Sequence, residues 1–187
     1  MRNAVILGVL AGMLSLTSCG DNKKEKEDVA EPMQNEMKEQ TRASAMTAYH
    51  EEETTASFKD ENTGKIYQQY LDVKDALVND NTSEAKEKAG TLAENLKDAK
   101  NQDAVDAAKK ISETGDINQQ REAFSKLTAA MAPVLKGALA SGEVYKLFCP
   151  MAFNGKGDYW YTNSANIHNP YMGQKMENCG RVADTIK

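Results

Sequence analysis

The chain has 187 residues, with 23 Lys and Arg against 28 Asp and Glu, a formal net charge of −5, and three cysteines. That length suits one modest domain. An acidic balance with no basic stripe argues against a nucleic-acid partner.

The first residues speak to location. Arg2 is the only charge ahead of an apolar run from Ala4 to Leu16. The run is too short to persist as a membrane-spanning helix and fits the h-region of an export signal. It ends in Leu16-Thr17-Ser18-Cys19, a pattern that resembles the bacterial lipobox, in which the cysteine is lipidated and becomes the first residue of the mature protein. An ordinary secretory signal with an incidental Cys19 is the weaker alternative. Residues 1–18 are therefore expected to be a lipoprotein signal peptide, and Cys19 the lipidation site. Several acyl chains there would hold the protein to a membrane without crossing it. The expected location is the bacterial cell envelope, at the outer membrane, with the domain in the periplasm or at the cell surface. Residues 19–57 are polar, charged and poor in aromatics, and are expected to form a flexible tether. Met33, Met37 and Met46 within it are too irregularly spaced to suggest a metal segment. The folded domain is expected over residues 58–187.

From Gly64 the apolar residues recur at helical spacing. Tyr67, Tyr70, Leu71, Leu77 and Val78 form one stripe, broken by Asn79-Asp80-Asn81. Asn81 and Glu84 then read as a capping box for a second stripe of Ala85, Ala89, Leu92, Ala93, Leu96 and Ala99. A shorter helix, Ala104 to Ile111, stops at Gly115. Asp116 and Gln119 resemble another capping box, opening the longest helix, with Phe124, Leu127, Met131, Val134 and Ala138 on its buried face. Pro133 inside it predicts a kink or break. The fold class that follows is mainly α: an up-and-down bundle of about four helices, with a loop-rich C-terminal segment. In that segment Val144 to Phe148 and Asp158 to Tyr161 predict a short β-hairpin around Gly155-Lys156-Gly157. The helices carry no histidine and no Glu-x-x-His, so the bundle is read as scaffold and no enzymatic activity is expected.

The chemistry gathers between Tyr145 and Gly180. With Cys19 committed to lipid, Cys149 and Cys179 are the only cysteines left. Met151 lies two residues beyond Cys149, and Met176 three before Cys179. Thiolate and thioether are soft donors that favour Cu(I) over hard cations, so convergence of Cys149, Met151, Met176 and Cys179 would make a site for a soft metal. His168 and Met172 are optional additions, and Trp160 could cap a bound cation through its ring, although a core role is commoner. Zinc suits the set less well, because thioether is a poor zinc ligand. A structural Cys149–Cys179 disulfide is the competing reading in an oxidising compartment, and the aromatics would then serve to close a small layer on the bundle. A Cys149/His168 nucleophile pair lacks an orienting third residue and an oxyanion motif.

The stretches "YQQYLDVKDALVND", "DINQQREAFSKLTAAM", "CPMAFNGKGDYW" and "NPYMGQKMENCG" resemble a family of extracytoplasmic bacterial domains of unknown function. Its members are found as small lipoproteins and attached to membrane-fusion subunits of copper and silver efflux pumps. The Cys-Pro-Met and Met-x-x-Cys-Gly frame is also similar to a heavy-metal-binding module of such pumps, in which Cys-Pro-Met continues with His-Pro. Here Ala152 and Phe153 replace that pair. The resemblance implies metal-site roles for Cys149, Pro150, Met151, Met176, Cys179 and Gly180, with efflux-pump components as partners. The expected function is binding or handing on a soft metal, copper above all, in resistance or efflux. The alternative is an envelope interaction module held by the Cys149–Cys179 disulfide.

Overall fold

A computed structural model describes residues 48–50 and 55–187. The expected signal peptide, Cys19 and most of the expected tether lie outside the described residues. Four long helices follow one another: α1 (Glu61–Val78), α2 (Thr82–Leu96), α3 (Gln102–Glu113) and α4 (Ile117–Leu135). Consecutive helices pack side by side, and α1 also meets α4, which closes the bundle as its short connections require.

Each helix starts where a short polar side chain satisfies its first free N–H groups. Asp60 accepts from the Thr63 N–H at 2.8 Å, Asn81 from Glu84 at 3.1 Å, and Asn101 from Ala104 at 3.2 Å. Asp116 accepts from both Asn118 and Gln119 at 2.9 Å. The first helix therefore begins at Glu61, ahead of Gly64. α4 passes through Pro133 and ends two residues later at Leu135. The stripes anticipated on α1 and α2 are buried, with Ala99 partly so, and Met131 is core packing on α4.

Two polar side chains are buried as clamps. Gln120 donates to Thr82 O at 3.0 Å and Thr114 O at 3.0 Å, tying α4 to the ends of its neighbours. Arg121 donates from Nε to Pro170 O at 2.7 Å and from Nη2 to Leu77 O at 3.1 Å, and its Nη2 pairs with Asp80 at 2.5 Å. One guanidinium thus joins α4, the α1–α2 turn and the C-terminal segment.

After α4, β2 (Leu139–Ser141) pairs with β1 (Ser57–Phe58) across the base of the bundle. The chain then builds a three-stranded antiparallel sheet in the order β4-β3-β5 from β3 (Val144–Cys149), β4 (Asp158–Thr162) and β5 (Arg181–Ile186). The β3–β4 pair is the expected hairpin, with Leu147 opposite Trp160 and Phe148 opposite Tyr159. β5 is an addition that the residue pattern did not suggest. It pairs Phe148 with Arg181 and Leu147 with Val182, then Lys146 with Asp184, so Ala183 is an extra, bulged residue. Trp160 seals the sheet onto the bundle, fully buried, with Tyr171 edge-on at 6.2 Å. Among the described residues no helix is long and apolar enough to cross a membrane.

Candidate metal centre

The sheet positions both cysteines. Cys149 is the last residue of β3 and is buried; Cys179 lies two residues before β5 and is half-buried. Because β5 pairs with β3, the chain returns to the place it left. The two sulfurs stand 3.6 Å apart as free thiols. Two thiolates sharing one tetrahedral metal at about 2.3 Å each would be separated by roughly 3.8 Å, so the spacing of the pair is compatible with a shared cation and equally with ordinary contact between two unbonded sulfurs. Cys179 is pushed above its ordinary pKa, first by desolvation and then by its contact with Cys149, while the Met151 N–H bonded to its sulfur pulls the other way. It therefore enters any metal chemistry as a thiol that must release its proton.

The loop carrying Cys179 is organised by Asn169, which is fully buried. Its side-chain amide donates to Cys179 O at 2.5 Å, and its side-chain oxygen accepts from the Tyr171 and Met172 N–H groups at 2.9 and 3.2 Å. Its backbone N–H reaches Glu177 O at 2.9 Å, so both edges of the loop close on one residue. Gly180 lets the returning chain pass the indole. A Cβ there would lie 2.8 Å from Trp160 Cη2 and 3.2 Å from Phe148 O.

The methionines are placed less uniformly. The Met151 side chain is half exposed, at 50%, and lines a cleft of about 530 Å³. Met172 lines the same cleft. Met176 is half-buried, and its carbonyl accepts from the Cys179 N–H at 3.0 Å. The main chain of Met176 therefore touches Cys179, and the thiols are the two donors brought into direct contact.

His168 is used elsewhere. Its Nδ1 pairs with Glu177, and its ring stacks on Tyr49 at 3.8 Å. Trp160 is a core residue bordering Gly180, not an open cap. Among the described residues no three His, Cys, Asp or Glu side chains are grouped so as to hold a metal.

The turn after Cys-Pro-Met has an uncommon backbone. Phe153 (φ 51°, ψ 54°) and Asn154 (φ 59°, ψ 40°) are both left-handed, a conformation that costs roughly 1–2 kcal/mol per residue for L-amino acids, with Asn among the exceptions. Phe153 packs its ring against Tyr171 at 5.3 Å, which holds the turn against the cleft.

Asn169 and Glu177 were not singled out by residue type, although Asn ahead of Pro carried the signal of a side chain capping the backbone two residues on. No curated protein and no solved structure matches the chain. Residues 66–142, from within α1 to just beyond β2, match the model of a family described as a protein of unknown function (DUF3347), and the match stops short of the thiol pair.

Proposed function

We propose that the domain binds a soft metal ion, Cu(I), between the Cys149 and Cys179 thiolates, with the thioethers of Met151 and Met176 completing the seat. The observation that carries this reading is the pair of unbonded sulfurs at 3.6 Å, held by a sheet on one side and the Asn169 loop on the other. Soft donors favour Cu(I) over hard cations, and the two thiols in contact are the soft donors that support this reading. In this reading Cys19 is lipidated and residues 19–57 link the domain to the outer membrane. The cation is then buffered or passed to efflux-pump components of the envelope. The bundle supplies rigidity and no reaction.

The test is titration of the reduced chain with Cu(I) against a competing chelator, comparing wild type with Cys149→Ser plus Cys179→Ser and with Met151→Leu plus Met176→Leu. Loss of binding in the first variant and weakening in the second support the seat. Equal affinity in all three would sink it. A wild-type chain that isolates as a stable Cys149–Cys179 disulfide and takes no Cu(I) after reduction would instead support the interaction module. Mass spectrometry of the membrane-extracted protein checks Cys19 for acyl mass.

A further inference from the structure

We infer that the sheet face bearing Lys146, Phe148, Tyr159 and Arg181 docks the folded domain on an anionic lipid surface. This contact is independent of the Cu(I) seat and separate from any acyl chain on Cys19.

The register of the sheet assembles the face. Arg181, Phe148 and Tyr159 lie side by side across β5, β3 and β4, and side chains directly opposite one another share a face. Lys146, two residues before Phe148, joins them. Leu147, Cys149 and Trp160 are buried on the other side. The Phe148 and Tyr159 rings are 4.8 Å apart. The Arg181 guanidinium stands 5.2 Å over the first ring, and the Lys146 amine 4.3 Å over the second. Tyr159 is 39% exposed and Arg181 is exposed, while Phe148 and Lys146 are half-buried. The β3–β4 turn adds a third cation. Gly157 lies against the Phe148 ring, so close that a Cβ there would fall 2.8 Å from Phe148 Cε2, and exposed Lys156 precedes it.

Charge names the partner. The chain as a whole is at −5, yet this face gathers Lys146, Lys156 and Arg181. Among the described residues no carboxylate forms an ion pair with any of them. Asp184, opposite Lys146, offsets one charge, and its carboxylate also accepts from the Thr185 N–H at 2.8 Å. The excess of two positive charges calls for an anionic partner. A sheet face offers breadth, where a small anion would need a concave pocket. Aromatic rings beside Lys and Arg are the mixture that suits lipid headgroups, with ring and stem on apolar surface and the charge in water. Each basic residue near an anionic membrane strengthens binding by about fivefold, so the net excess supplies about 25-fold.

The experiment mixes the full chain, as extracted from membranes, with vesicles of phosphatidylcholine alone or with about one third phosphatidylglycerol. Any acyl chain contributes alike to both, so lipid charge is the variable. Lysine acetylation is read residue by residue by mass spectrometry. Lys146 and Lys156 should react about tenfold more slowly on the anionic vesicles, while Lys86 and Lys109, exposed on α2 and α3, are unchanged. About 0.5 M salt should abolish the difference. Arg181→Glu and, separately, the turn variant Lys156→Glu each reverse one charge, worth about 25-fold, and should remove the protection of Lys146. Equal rates at Lys146 and Lys156 on the two vesicles would overturn the lipid contact, as would protection that survives both substitutions. Protection of the same lysines by soluble polyglutamate, with none on anionic vesicles, would assign the face to an acidic protein and overturn it too.

Discussion

Replacing Asn169 by alanine should loosen the Cys179 loop more than any other single change outside the sulfurs. The side chain makes three hydrogen bonds: to Cys179 O, and from the N–H groups of Tyr171 and Met172. A buried group stripped of its partner costs about 1–3 kcal/mol. Tyr171 is buried and would bear the full penalty, whereas Met172 and Cys179 are half-buried and can recruit water. The sum is about 3 kcal/mol. With a urea m-value near 2 kcal/mol/M, that moves the unfolding midpoint by about 1.5 M, and the single Trp160 reports the transition. Local opening of the loop would divert part of this loss from the global transition, so the alkylation rate of Cys179 is measured in parallel and should rise. An unchanged midpoint together with an unchanged alkylation rate would refute the role assigned to Asn169.

Other outcomes follow from specific contacts. Gly180→Ala should destabilise by about 1–3 kcal/mol, the range for overpacking, and shift Trp160 emission, because the added carbon meets the indole at 2.8 Å; circular dichroism melting and fluorescence check both. Lys74 is fully buried and desolvation lowers its pKa to about 8. The unfolded chain then binds more protons than the folded one from about pH 8 upward, so stability should rise with pH there. Lys74→Met should flatten that rise, read below pH 9.5 because Tyr67, Tyr70 and Tyr171 are held protonated above their ordinary range and oppose it at higher pH. Cu(I) affinity should rise with pH, and so fall as pH is lowered, by about tenfold per pH unit for each thiol proton displaced, since Cys179 enters as a raised-pKa thiol; chelator competition between pH 6 and 8 measures the slope.

The bundle was legible because its signals are local. Caps at Asn81 and Asp116 and apolar stripes at helical spacing state the helices within a few residues. The β3–β4 hairpin was equally plain, with strand residues on either side of glycines. β5 was not, for a physical reason: Arg181 to Asp184 are exposed, and Ala183 bulges out of register, so neither face carries an alternating apolar pattern. The two cysteines could be paired by elimination, but their approach depends on β5 returning to β3, which is a long-range event. Asn169 and the left-handed turn at Phe153 and Asn154 were hidden for the same reason. Their roles come from what lies across space from them. His168 drew attention as a ligand type, and its partners, Tyr49 and Glu177, show a side chain already engaged.

Tyr49 lies within the stretch expected to be tether, yet it is fastened to the domain. Its N–H and carbonyl pair with the Asn79 side chain at 2.8 and 2.7 Å, while its ring lies on His168. His168 is joined through Glu177 to the loop that ends at Cys179. A force applied to the chain ahead of Tyr49 would therefore arrive first at the amide clamp of Asn79 and next at the ring of His168, which is adjacent in the chain to the thiol loop's closing asparagine, Asn169. The clamp stands between the two and acts as a strain relief: so long as Asn79 holds, drag on the leading segment is grounded in α1 and the spacing of the sulfurs is undisturbed.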